Sequence, residues 1–328
     1  MATVIRFSET GGPEVLRAEK TDLPAPGHGE VRLAQTAVGV DFIDTYHRSG
    51  LYPVSPPSGL GGEAAGIVAA VGPDVTDFKP GDRAVYCLLG QPGAYASHRI
   101  VPADAVIPLP DDISEETAAA VFLKGLTAYY LLHRTHRVAE GETILVHAAA
   151  GGVGSLLVPW AKALGATVIG TVGSEEKAER AKRLGCDHPI IYTQEDFAER
   201  VRAITNDTGV PVVYDSVGKA TFDGSLDCLA PLGLMISFGN SSGAVPPVSP
   251  GVLAQKGSLF LTRPSLVHYI AEPADYRDAA AALFARLADG TLDVHIDAVL
   301  PLHQAGEAHR RLESRETQGS LILRPEPE

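Results

Sequence analysis

Several residue types and runs that would mark particular protein classes are scarce in this chain. It has only three cysteines in 328 residues, Cys87, Cys186 and Cys228, far apart and odd in number. They suggest neither a disulfide framework nor a sulfur-rich metal site. No apolar stretch approaches the ~20 residues needed to cross a bilayer. The N-terminal MATVIRFSETGG alternates like a strand and lacks the apolar core of a signal peptide. Positive charge is scarce too: 27 lysines and arginines stand against 40 acidic residues, a formal net charge of −13. A polyanion would be repelled unless the basic residues were segregated onto one face, and no run does this. The densest cluster, Arg180 to Arg183, is broken by Ala181 within an amphipathic helical pattern and reads as a solvated helix face. Neither nucleic acid nor membrane is therefore expected as a partner, and the expected compartment is the cytoplasm.

The remaining composition is that of a globular protein, with 45% hydrophobic and 20% charged residues and enough length for two domains. Glycine (34) and proline (24) are frequent, which predicts short elements punctuated by turns. The first third reads as strands separated by such turns, among them EVRLAQTAVGV (30–40), EAAGIVAAVG (63–72) and DRAVYCL (82–88). That spacing predicts an irregular β-barrel. The period then changes: SEETAAAVFLKGLTAYYLLH (114–133) is helical, with Ser114 as N-cap and Gly125 as a point that divides it into two helices.

From Thr143 strands and helices alternate: TILVHA, SLLVPWAKAL, TVIGTV, SEEKAERAKRL, HPIIY, FAERVRAIT, PVVYDSVG and GLMISFG. This order implies a doubly wound parallel sheet, the α/β Rossmann class. A long helix, DYRDAAAALFARLADG, follows, and the chain ends in strand, helix and strand (HIDAVLPL, QAGEAHRRLES, SLILR). That tail is too short for a domain, so its last strand is expected to return to the N-terminal barrel.

Residues 144–154, ILVHAAAGGVG, place glycines between a strand and a helix. There, backbone amides can approach a pyrophosphate and the helix start adds partial positive charge. Gly151, Gly152 and Gly154 fit this use, although their spacing departs from G-x-G-x-x-G. The second strand points to the cofactor. Folds that bind NAD usually end it with a carboxylate for the ribose 2′-hydroxyl, but this chain has Gly170-Thr171-Val172-Gly173-Ser174, with no acid before Glu175. Gly173 leaves room, Ser174 offers a hydroxyl, Lys177 can neutralise a 2′-phosphate, and Tyr192 can pack against the phosphate or the adenine. NADPH is the expected cofactor. The other reading of Lys177, as one more solvated residue beside Glu175 and Glu176, stays open.

The order of barrel, nucleotide fold and returning tail resembles the medium-chain dehydrogenase/reductase superfamily. Within it, GGPEVL (11–16), DFIDTYHRSGLYP (41–53), GLGGEAAGIV (59–68), FLKGLTAYYLL (122–132), HAAAGGVG (147–154), GTVGSEEKA (170–178), SFGNSSGAV (237–245), KGSLFLTRP (256–264) and ESRETQGSLIL (313–323) resemble the zinc-independent quinone oxidoreductases and zeta-crystallin. The resemblance implies a GroES-like catalytic domain over 1–125, a Rossmann NADPH-binding domain over 126–265, and a segment 266–328 returning to the first. It implies a nicotinamide cleft near Asp41, Phe42, Tyr46, Tyr52, Lys124 and Thr127, with the pyrophosphate on Gly152 and Val153. The 2′-phosphate would meet Gly173, Ser174, Lys177 and Tyr192. Phe238, Asn240 and Ser241 would line the nicotinamide or ribose, and Arg315 would reach the cofactor from the tail. Close relatives usually carry asparagine where this chain has Asp41.

The resemblance also implies a homodimer paired through the strand near Leu259 to Leu261. Zinc-dependent members use a histidine beside a glutamate; here Gly61-Gly62-Glu63 puts glycine in the histidine's place, and no cysteine stands near Asp41. A tetrahedral zinc needs soft or imidazole ligands gathered together. The 11 histidines are scattered, and each reads as structural or solvent-facing. Without a Lewis acid an alcohol is a poor substrate, whereas a quinone is already electrophilic. Quinone reduction by hydride or stepwise electron transfer is therefore expected, with Tyr46 or Tyr52 donating a hydrogen bond to the developing quinol oxygen. Two alternatives remain: an NADPH-dependent reductase of activated C=C bonds in enals or enones, and a non-enzymatic NADPH- or RNA-binding protein of zeta-crystallin type.

Overall fold

In the computed structural model, which describes residues 1–314 and 317–326, the backbone forms two compact units. One comprises Met1–Leu123, Glu272–Ala288 and Val294–Glu328; the other comprises Lys124–Ala271 and Asp289–Asp293. Each has its own hydrophobic core.

In the first unit the alternation of Glu30–Val40 buries Val31, Leu33, Ala37 and Val38 completely and makes that strand the hub. It pairs antiparallel with Glu63–Val71 on one edge, and with His98–Pro102 and then Ser320–Arg324 on the other. Leu321, Ile322 and Leu323, all buried, sit opposite Val40, Gly39 and Val38, so the last strand returns to the N-terminal sheet as expected. Gly39 is required at the hub, because a Cβ there would run into the Glu63 carboxylate and the Ala119 carbonyl.

The second unit carries a six-stranded, wholly parallel sheet. Its strands in chain order are Thr143–Val146, Thr167–Val172, His188–Ile191, Val210–Asp215, Leu229–Ser237 and Phe260–Thr262. Their spatial order is three-two-one-four-five-six, the Rossmann order. Leu145, Ile169, Val213 and Met235 from four neighbouring strands are fully buried and share one core. Gly165 and Gly185 adopt φ of +86° and +97° just past the helices Gly154–Ala163 and Glu175–Arg183, ending both in the left-handed region.

Two expectations are corrected. Gly125 does not divide its helix, which runs unbroken over Glu115–Tyr130. The residues from Ala118 to Leu126 are all buried, and packing on that scale outweighs the ~1 kcal/mol a helical glycine costs. The break comes later, in a π-helical turn at Leu131–Thr135. Ser114 does cap the helix, accepting the Thr117 N–H at 3.1 Å. The second correction concerns Arg180, which is buried rather than solvated; Lys182 and Arg183 are the exposed members of that cluster.

Candidate cofactor and substrate site

Asp41, Phe42, Tyr46 and Tyr52 lie in the first unit, around the helix Phe42–Ser49. Asp41 is its N-cap and forms a capping box with Asp44, whose carboxylate accepts the Asp41 N–H at 2.9 Å. Asparagine caps helices equally well, so the cap alone does not call for the acid of Asp41, a residue that is 5% exposed. One turn on, the Tyr46 ring meets the edge of Tyr52 at 5.1 Å, with Phe42 at 6.3 Å from Tyr46. Both tyrosines are half-buried, and the Tyr52 N–H donates to the Tyr46 carbonyl.

A polar chain, buried except at its Glu313 end, holds this helix in place. Arg48 donates to both oxygens of Glu313 (2.6 and 3.1 Å), to Nδ1 of His309 (3.0 Å) and to the Gly11 carbonyl. An arginine only donates, so His309 Nδ1 accepts and its Nε2–H faces the Tyr95 hydroxyl at 3.0 Å. Tyr95 in turn donates to Asp44 at 2.9 Å. Burial, reinforced by the Arg48 charge, pushes the His309 pKa down to about 3, so the imidazole is neutral. Burial and the Asp44 charge raise that of Tyr95 well above its ordinary value.

The other candidates lie in the second unit, at the carboxyl edge of the parallel sheet, where such folds bind ligands. After the first strand the chain turns through residues 148–154. Gly154 is demanded there, since a Cβ would strike the Ala148 carbonyl, and Gly152 lets Lys124 approach to 3.3 Å from where its Cβ would be. The left-handed residue of the turn is not a glycine but Ala148, at φ +53°. Lys124 and Thr127 are both buried.

Beyond the second strand, Ser174 caps the helix Glu175–Arg183 by accepting the Lys177 N–H at 3.3 Å. Tyr192 follows the third strand and is 48% exposed. Its hydroxyl lies 2.8 Å from where a Gly173 Cβ would stand, so the structure brings Gly173, Ser174, Lys177 and Tyr192 together. Phe238, Asn240 and Ser241 follow the fifth strand in a loop built onto the turn after the fourth. Phe238 N–H donates to the Asp215 carbonyl (2.8 Å), Ser241 N–H to that of Ser216 (3.3 Å) and Ser242 N–H to that of Val217 (2.8 Å). Arg263 braces this loop by donating to the Ser237 carbonyl at 2.7 Å. Sequence reasoning missed that brace, which comes from 26 residues away. Arg315 lies outside the described residues.

Among the described residues no three histidine, cysteine or acidic side chains gather closely enough to hold a metal ion. Glu63 is fully buried and accepts the Leu123 N–H at 2.6 Å, while any side chain at Gly62 would press on Leu89, 2.6 Å from its Cβ position.

Comparison with known proteins agrees with this architecture. Residues 27–111 match the alcohol dehydrogenase GroES-like domain and residues 152–286 the family described as zinc-binding dehydrogenase, a name whose metal the donor set here does not fit. Quinone oxidoreductase 1 of Escherichia coli is 52% identical over 99% of this chain and 100% of its own. A 2-haloacrylate reductase of Burkholderia sp is 46% identical over 99% of each chain. Among solved structures, E. coli quinone oxidoreductase complexed with NADPH superposes with a TM-score of 0.96 at 51% identity, covering 98% of this chain and 100% of that one. A parallel Rossmann sheet joined to a GroES-like unit, with full-length identity of about half, establishes that the chain belongs to the quinone oxidoreductase family of medium-chain dehydrogenase/reductases.

Proposed function

We propose that this chain is an oxidoreductase that binds NADPH and reduces quinones by hydride or stepwise electron transfer, without a metal ion. The observation that carries this reading is the grouping of Gly173, Ser174, Lys177 and Tyr192 past the second parallel strand. A cation, a hydroxyl and an open glycine with no strand-end carboxylate suit a 2′-phosphate. The relatives named quinone oxidoreductase, one of them solved with NADPH, support the same reading. When bound, the reduced nicotinamide would supply the reducing electrons.

The chain's own residues would bind and orient. Gly152 and Val153 would lie against the pyrophosphate, while Lys124, Thr127, Phe238, Asn240 and Ser241 would line the nicotinamide or ribose. Asp41 and Phe42 would contact the nicotinamide or the substrate, and Tyr46 or Tyr52 would donate a hydrogen bond to the developing quinol oxygen. Because a quinone is already electrophilic, alignment would supply much of the rate. Replacing Tyr46 with phenylalanine is expected to lower turnover more than NADPH affinity; unchanged turnover would remove Tyr46 from the mechanism.

A second reading, reduction of activated C=C bonds, is favoured by the full-length similarity to a 2-haloacrylate reductase. It needs the same cofactor and no metal, so only substrates separate the two. The test follows the loss of reduced-nicotinamide absorbance with benzoquinone, phenanthrenequinone, 2-haloacrylate and simple enones, using NADPH and NADH in turn. Fast, NADPH-selective turnover of quinones supports the first reading, and preference for the haloacrylate or enones replaces it with the second.

The proposed assembly is a homodimer. Phe260–Thr262 is an edge strand, and Phe260 (61% exposed) and Leu261 (37%) leave apolar surface on it that pairing with a second copy would cover. The proposed compartment is the cytoplasm: all three cysteines are free and buried, as suits a reducing environment. No described helix is long and apolar enough to cross a membrane.

A further inference from the structure

Beneath the carboxyl edge of the parallel sheet lies a buried polar network that the proposed chemistry does not use. His147, 1% exposed, is the last residue before the glycine turn. Its Nδ1 is 2.8 Å from the Thr171 hydroxyl on the second strand, and its Nε2 is 2.9 Å from the Ser225 hydroxyl. Ser225, fully buried, reaches the Asp215 carboxylate at 3.2 Å and the Thr221 carbonyl at 2.7 Å. Thr221 donates to the same Asp215 oxygen at 2.7 Å. The other oxygen of Asp215 accepts the Val217 and Gly218 N–H groups, at 2.7 and 3.0 Å.

The direction of each bond follows from counting protons. Ser225 has one hydroxyl proton, and both acceptors within its reach are oxygens that cannot donate back. Its own oxygen must therefore accept the Nε2–H of His147. Nδ1 is then bare and accepts from Thr171. Burial lowers the His147 pKa against the opposing pull of Asp215, in keeping with a neutral ring. Phe197 closes the remaining side, edge-on at 5.0 Å. A serine, a histidine and an aspartate are residue types of nucleophilic catalysis, but here all three are at most 1% exposed. Asp215 bonds the serine and not the imidazole, so the cluster is a brace.

The brace reaches the first, second and fourth strands where they lead into turns assigned to the cofactor or supporting them. His147 leads directly into residues 148–154, and Thr171 stands two residues before Gly173. Asp215 shapes the 215–218 turn, whose carbonyls receive the N–H groups of Phe238, Ser241 and Ser242. We propose that His147 is a positioning residue that ties these turns together, with its Thr171 bond holding the 2′-phosphate loop and its Ser225 bond holding the nicotinamide loop. The proposal rests on the NADPH reading above.

Two substitutions each sever one half of the link. In His147→Gln the amide can extend to Ser225 but no longer accepts from Thr171; in His147→Asn the side-chain oxygen can replace Nδ1 while Ser225 is out of reach. Thr171→Val and Ser225→Ala cut the same bonds from the far side. The measurement is the dissociation constant for NADPH and for NADH, by nicotinamide fluorescence, beside the melting temperature of each apo variant. Losing the Thr171 bond should reduce the preference for NADPH over NADH by about fivefold, the scale of one hydrogen bond. Losing the Ser225 bond should weaken both nucleotides alike and leave the preference unchanged. A merely structural role would lower the melting temperature in all four variants without separating the pairs, and that result would overturn the proposal. An NADPH-selective wild type whose variants keep its preference and affinities would do the same. Failure of the wild type to bind NADPH would instead overturn the cofactor reading on which the proposal rests.

Discussion

Lys177 carries the charge argument for the 2′-phosphate, and the structure gives it a defined place. It sits in the first turn of a helix capped by Ser174, beside Gly173 and Tyr192. Lys177→Ala should weaken NADPH binding about tenfold, or about 1.4 kcal/mol, and leave NADH binding nearly unchanged; equal losses for both nucleotides would return Lys177 to the role of a solvated helix residue. Ala148 is the residue that sequence reasoning passed over. The glycines of HAAAGGVG are the visible turn signal, yet the turn puts its left-handed residue at an alanine with φ +53°. Such strain belongs to sites whose surroundings over-determine the backbone. Ala148→Gly is expected to raise thermal stability by up to about 1 kcal/mol, because glycine adopts this region without a Cβ penalty. A lower melting temperature would show that the methyl group packs more favourably than its backbone costs.

At the scale of elements, the parallel strands and the helices between them were legible because their signals are local. An apolar run bounded by glycine turns gives a strand, and an amphipathic stretch behind Ser174 or Asp196 gives a helix, with both residues accepting backbone N–H groups as caps. The continuous helix Glu115–Tyr130 was not legible, because burial of its apolar residues decides against a break at Gly125. The same holds for Arg180, whose helical periodicity looks solvated until the fold covers it. The edge strand Phe260–Thr262 offers a sharper test. If its apolar side chains cover a second copy, Phe260→Asp should reduce the mass in sedimentation from that of a pair towards the 34.4 kDa of one chain. A wild-type protein that already sediments as one chain would remove the dimer.

For the molecule as a whole, the buried neutral histidine of the first unit makes stability depend on pH. His309 has its folded pKa pushed down to about 3, and in the unfolded chain it takes up a proton near 6.5. Between those values the unfolded state binds the extra proton, so this contribution is present in full above about pH 6.5 and declines as pH falls towards 3, by at most about 1.4 kcal/mol per pH unit. His309→Gln should lose that part of the acid limb. The check is the unfolding free energy of both proteins at pH 7 and 5 in denaturant, and equal slopes would show that other groups govern the limb.

The class of fold, the glycine turn, the strand end without a carboxylate and the return of Ser320–Arg324 to the first sheet are all written along the chain. These follow from short-range periodicity, from turn chemistry and from family resemblance, all readable along one line. What the histidines do emerges only in the folded chain. His147 bonds residues 24 and 78 positions away, and His309 bonds residues 214 and 261 positions away. Read along the chain, the histidines were only scattered. Their roles arise from exclusion of water and from one-way hydrogen bonds between distant segments, which exist only once the chain has folded.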